Sequence, residues 1–191
     1  MNPALLALPA AFGLAGASGL NASLPLLIVS FLARLGLIHL ASPFDALESD
    51  VAFYGLIVLA VVEFGMDKIP VLDSIGHAVM LPVAAAGGAI LFASQTGAVS
   101  TVHPGLVVLA SVLVGGSVAG IVHVVRSGVR PVANGVLLGP PLSLLEDISS
   151  AALAAAAVLV PFALPVVVAL IVAGVIMIVH RRRRTAALST R

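Results

Sequence analysis

The sequence predicts an all-α fold of membrane-crossing helices, and three observations carry that expectation. Hydrophobic residues fill 61% of the 191 positions and charged residues only 9%. Mean hydropathy is +1.23, and the apolar residues fall in runs near the length that crosses a hydrocarbon core of about 30 Å. The runs are rich in alanine and leucine and lack the period-two alternation of a lipid-facing barrel strand, which leaves helices to satisfy their backbone in lipid.

Seven helical segments follow from the runs and their breaks. Pro3 to Ser18 has no basic residue ahead of it and further spans behind, so it is read as mature structure rather than a signal peptide. Gly19-Leu20-Asn21 joins a flexible residue to a polar turn former, and Ala22 to His39 forms the next run. Asp50 to Met66 ends at Asp67-Lys68-Ile69-Pro70, and Val71 to Ser94 follows that proline. Pro104 to Ser127 leads into a breaker-rich stretch from Arg130-Pro131 to Gly139-Pro140-Pro141. Pro141 to Val160 and Phe162 to His180 complete the set, divided at Pro161 and Pro165 because a single helix there would be twice the needed span. Pro9, Pro25 and Pro82 lie inside runs and are expected to kink them. The first and third segments are short, so re-entrant half-helices are the alternative to full crossings. The segments form one integral membrane domain over 1–184, with a short tail at 185–191.

Orientation is read from the basic residues. Arg181 to Arg184 place the C-terminus in the cytoplasm, in the inner (plasma) membrane of a multi-pass protein. Counting back through seven crossings puts the N-terminus outside and the turns at Gly19 to Asn21, Asp67 to Pro70 and Arg126 to Pro140 inside. Lys68, Arg126 and Arg130 agree with that arrangement, whereas Arg34 dissents and is expected to snorkel toward an interface. Three turns on one side imply that their polar residues converge on one face.

Composition also excludes several functions. A net charge of +1 gives no extended basic surface for nucleic acid. Without cysteine there are neither disulfides nor thiolate metal sites. Tyr54 is the single tyrosine and tryptophan is absent, so interfacial aromatic belts are weak. No HExxH, EF-hand, GxSxG or phosphate-cradling GxxxxGK pattern occurs, so no metal, cofactor or hydrolase chemistry is expected.

The grouped charges carry the functional argument, because ionisable groups in lipid are costly. Glu63 and Asp67 are four apart, on one helix face, where two nearby carboxylates call for a cation between them or a shared proton. Lys68, Arg126 and Arg130 are the available cations. Glu146 and Asp147 lie one to two turns into their helix and point about 100° apart, and Asp73 follows Pro70; each is a candidate substrate- or ion-binding acid or, alternatively, an acid that favours a helix start. Arg126 and Arg130 form one basic face able to hold a phosphate, a carboxylate or an anionic lipid headgroup, or to answer the acids. Asn21 supplies neutral hydrogen bonds. His77 and His123 lie within apolar segments, where a histidine serves either a proton path or a helix-to-helix hydrogen bond. Small residues at Gly116 and Gly120, with Gly115 and Ala119, and at Ala15 and Gly19 allow close helix approach, within the chain or in a homodimer.

The residues Gly19-Leu20-Asn21-Ala22-Ser23-Leu24-Pro25-Leu26-Leu27, Glu63 through Asp67-Lys68-Ile69-Pro70 with Asp73-Ser74, and Glu146-Asp147 resemble bacterial integral membrane proteins grouped as domain of unknown function 4126. The resemblance runs from about Ala11 to Ala152, with Glu-x-x-x-Asp-Lys-x-Pro its most specific part. It implies a small helical membrane protein and no role for any single residue.

Two functions are expected from these features. The first is a small secondary transporter or channel-like protein, with Glu63 and Asp67 taking a proton or cation and Arg126 and Arg130 facing an anionic solute. The second is a lipid-binding or scaffold protein in which anionic lipid meets the basic face and the polar cluster only fixes the fold. An intramembrane enzyme lacks a nucleophile, a ligand set and a cofactor motif.

Overall fold

The computed structural model describes residues 3–40, 42–67, 69–96, 103–135 and 139–161, with side chains for all of these except 3–6, 70–78, 96, 104 and 129–135. The described residues are all-helical and contain no strand. The elements are α1 (Pro3–Leu20), α2 (Ser23–Arg34), a 3-10 turn (Phe44–Glu48), α3 (Asp50–Met66), α4 (Pro70–Thr96), α5 (Pro104–Ala110), a π turn (Ser111–Gly115), α6 (Gly116–Gly135) and α7 (Gly139–Leu159). The expected segment from Phe162 to His180, Lys68, and the side chains of Asp73, His77 and Arg130 lie outside the described residues.

Local chemistry sets several of these ends. The Ser49 hydroxyl accepts from the Ala52 amide and caps α3, and the His103 imidazole accepts from Gly105 at the start of α5, where Pro104 takes the first turn. Two ends differ from expectation. Helix α2 stops at Arg34 rather than His39, because Gly36 adopts φ +71° and lets the Leu37 and Gly36 amides return to Leu32 O and Ala33 O. In the other direction, α5, the π turn and α6 form one continuous helix that runs through Arg130-Pro131 to Gly135. Pro131 sits little more than a turn from the end of that helix, where the single hydrogen bond it forfeits interrupts least.

Helix α1 is the centre of the fold. Its residues Ala10, Ala11, Leu14, Ala15, Ala17 and Ser18 are buried, and it packs mainly against α4, α7 and α6. Small residues make that packing close. A Cβ added at Gly88 would meet the Ala119 Cβ at 2.5 Å and the Gly115 carbonyl oxygen at 2.8 Å, and one added at Gly19 would meet the Ala119 carbonyl oxygen at 2.5 Å. The small-residue faces thus serve contacts within the chain, with Gly115 against Phe92 and Gly116 against Ala85. The π turn, in which the Gly116 amide reaches back five residues to Ser111 O, falls where Gly115 meets α4.

Pairwise contacts fix the directions. Ser18 bonds Ala84 O and Phe12 meets Phe92 edge to face, so α1 and α4 run antiparallel. Ser150 bonds Ala17 O and Asn21 bonds Asp147, which makes α7 antiparallel to α1. Ala22 with Glu63, Phe31 with Phe53 and Arg34 with Asp50 set α3 antiparallel to α2. The C-terminal ends of α1 and α3 and the N-terminal ends of α2 and α7 therefore meet at one end of the molecule, around the break between α1 and α2.

Candidate functional site: a buried polar cluster at the helix break

The break consists of Asn21 and Ala22, and its free amides define the site. The last amide bonded within α1 is that of Asn21, to Ala17 O at 3.1 Å. The next three have no helical acceptor. Asn21 Oδ1 accepts from the Ser23 amide at 3.1 Å and the Leu24 amide at 2.9 Å, the pattern of an N-cap. Glu63, reaching across from α3, completes the set: Oε1 accepts from the Ala22 amide at 2.9 Å and Oε2 from the Ser23 amide at 3.0 Å. The Ser23 hydroxyl lies 2.6 Å from Glu63 Oε2 and 3.1 Å from Asn21 Oδ1; having one proton, it donates to the nearer carboxylate. Glu63 is the only buried residue of α3, at 2% exposure. An otherwise apolar helix thus turns one carboxylate inward to hold the start of its neighbour.

Asn21 extends the network to α7. With its oxygen committed to α2, its amide nitrogen donates to Asp147 Oδ1 at 3.0 Å, which also fixes the orientation of the amide. Asp147 and Glu146 diverge as adjacent helical residues must. Glu146 Oε2 accepts from Arg126 Nε at 2.8 Å, and the Arg126 Nη2 donates to Asp67 Oδ2. The fork of Arg126 therefore spans two helices, and its side chain is 3% exposed.

These positions sort the expected site residues. Asn21, Glu63, Asp67, Arg126, Glu146 and Asp147 gather at one end of the fold, whereas Lys68, Asp73 and Arg130 have no described side chain. Among the described residues, no cation bridges Glu63 and Asp67, which lie one turn apart. Glu63 turns to the break and Asp67 to Arg126. His123 is buried in α6. Arg34 does not snorkel alone: it donates to Glu48 O and Asp50 Oδ1 at the opposite end of α2.

Ser23 is the residue that sequence reasoning passed over. Its signal was present, since an Asn two residues before a Ser at the head of an apolar run marks a helix start. A pocket also reaches the break. Leu24, Ala60, Val61 and Phe64 wall an open groove of about 250 Å³ between α2 and α3, and Asn21 lies at its inner side.

Fold and cluster together define a class, the all-helical proteins in which antiparallel helices converge on a buried ion cluster. Two of its helices, Gly105–Gly128 with 24 residues and Gly139–Leu159 with 21, are long and apolar enough to cross a membrane. The profile described as domain of unknown function (DUF4126) matches residues 8–181, and the chain belongs to that family. The match extends beyond the Ala11 to Ala152 stretch that carried the resemblance and takes in the final apolar segment. No curated protein and no solved structure matches the chain.

Proposed function

We propose that the protein is a multi-pass integral membrane protein that acts as a lipid-contacting scaffold, its charged cluster being an internal clasp. Two kinds of burial support this. Only 22% of the apolar 18-residue stretch within Gly105–Gly128 and 28% of that within Gly139–Leu159 is buried inside the fold, unlike the core helix of a soluble protein. Exposed leucines, isoleucines and valines line α3, α6 and α7, an apolar surface that lipid solvates and water does not. The observation that carries the scaffold reading is the mutual pairing at the break. Glu63 and Arg126 are each spent on partners within the chain and Asn21 bonds Asp147, so the cluster joins α2, α3, α6 and α7 rather than facing a solute.

In this reading seven segments cross the inner membrane, the N-terminus is external, and the cluster lies on the cytoplasmic side with Arg181 to Arg184. That basic tail meets anionic lipid. One observation favours a second reading, a secondary transporter caught closed. Helix α2 begins at a break whose amides are held by a carboxylate from another helix, and such bonds exchange when helices move. Proteoliposomes decide between the two. The scaffold predicts no proton or cation flux in the wild type; flux that Glu63→Gln abolishes would replace it with the transporter.

A further inference from the structure

The groove beside the break has a polar end that the clasp leaves incomplete. Asn21 is 1% exposed and its oxygen accepts from Ser23 and Leu24. Its nitrogen carries two hydrogens, and among the described residues only Asp147 takes one. A buried donor left without an acceptor is costly, so whatever fills the groove benefits from bringing one. The remaining walls, Leu24, Ala60, Val61 and Phe64, are apolar. A matching occupant joins a hydrocarbon body to one hydrogen-bond acceptor, and the Glu63 and Asp147 carboxylates beside Asn21 disfavour a charged one.

Depth narrows the occupant further. Phe64 and Ala60 lie two and six residues before the end of α3 at Met66, about 3 and 9 Å along the axis. If α3 crosses the bilayer, that is the boundary between hydrocarbon and headgroups, where the ester carbonyls of a glycerophospholipid lie. Val61 and Phe64 are exposed on the outer surface of α3, so the groove opens sideways toward lipid.

We propose that this groove is a binding site for one acyl chain of a glycerophospholipid, whose ester carbonyl accepts the second amide hydrogen of Asn21. The site rests on the membrane reading above. A lipid held here bridges α2 and α3 beside the clasp, and it makes the end of the break sensitive to the linkage chemistry of the surrounding lipid.

The test uses the full chain. Membranes washed with alkaline carbonate first establish that the protein stays with the bilayer; release into the supernatant would overturn both this proposal and the reading beneath it. Protein purified in mild detergent is then equilibrated with equal amounts of diester and diether phosphatidylcholine of matched chains, and retained lipid is weighed by native mass spectrometry. The diester is expected to be retained about fivefold over the diether, the ratio set by one neutral hydrogen bond of ordinary net strength. Ala60→Trp fills the groove from the α3 side without touching the cap and should remove that preference. Val61→Trp does the same should Ala60→Trp fail to fold. Equal retention of the two lipids by the wild type, which water or detergent in the groove would produce, overturns the proposal. So does a preference that survives the tryptophan variants.

Discussion

The two ends of α2 use the same chemistry in opposite surroundings. At its N-terminal end, Glu63 and Asn21 hold the first amides while Arg126 ties Asp67 to Glu146, and the side chains of that triad are 3%, 10% and 11% exposed. At its C-terminal end, Arg34 pairs with Asp50, whose side chains are 31% and 76% exposed, and lies 4.8 Å over the Phe53 ring. Each end joins α2 or its neighbours by an arginine and a carboxylate. Their energetic weight differs because water solvates one pair and is excluded from the other. An exposed ion pair contributes about 0–1 kcal/mol. A buried one contributes little relative to an apolar replacement of the whole group, but breaking it by removing one member is severe.

Arg126→Ala is the sharpest way to break the comparison and has the largest expected effect. It deprives two nearly buried carboxylates on different helices of their shared guanidinium, at a cost of about 3–5 kcal/mol. Arg126→Lys should fall between this variant and the wild type, because an ammonium lacks the planar fork that reaches two helices at once. Thermal unfolding in detergent measures both. Equal melting temperatures for wild type and Arg126→Ala would mean that the clasp does not hold the helices together.

How much of this was legible in the sequence follows from what helical periodicity encodes. Apolar runs and breakers placed most helix ends, because a span and its turn are local properties of the chain. The end of α2 at Gly36 was also local and readable as a C-cap glycine, yet the apolar Leu37-Ile38 beyond it carried the expected helix on to His39. Partner choice was not local. Spacing put Glu63 and Asp67 on one face, but a turn of helix separates them by enough for one to meet α2 and the other α6. Arg126 had several acids within reach on paper, and only packing of α6 against α7 selects Glu146. The continuation of α6 through Pro131 shows the converse limit, a breaker overridden near a helix end.

Close packing offers a second comparison of the same kind, between a glycine at the centre and one at the periphery. Gly88→Ala places a methyl against the Ala119 Cβ and the Gly115 carbonyl, where backbone must move, and should destabilise by about 1–3 kcal/mol. Gly55, on the exposed side of α3, has nothing within 4 Å of an added Cβ. Gly55→Ala should therefore be neutral or stabilising by up to about 1 kcal/mol through helix propensity. Melting curves of the two variants in one detergent compare them directly. Similar losses in both would refute α1, α4 and α6 as the tightly packed centre.

The smallest effect belongs to the exposed pair. Arg34→Ala removes a hydrogen bond to Glu48 O, a contact with Asp50 and a cation–π contact with Phe53, each largely compensated by water. The sum should stay near 1 kcal/mol. Its distinguishing property is salt dependence. The Debye length falls from about 30 Å at 0.01 M to about 3 Å at 1 M, so the ionic part of the Arg34 contribution should vanish over that range. The loss caused by Arg126→Ala should persist, since ions do not enter a site whose side chains are about nine-tenths buried or more. Unfolding of the wild type and both variants at the two ionic strengths measures this difference, and a salt-sensitive Arg126 contribution would mean that the clasp is open to water.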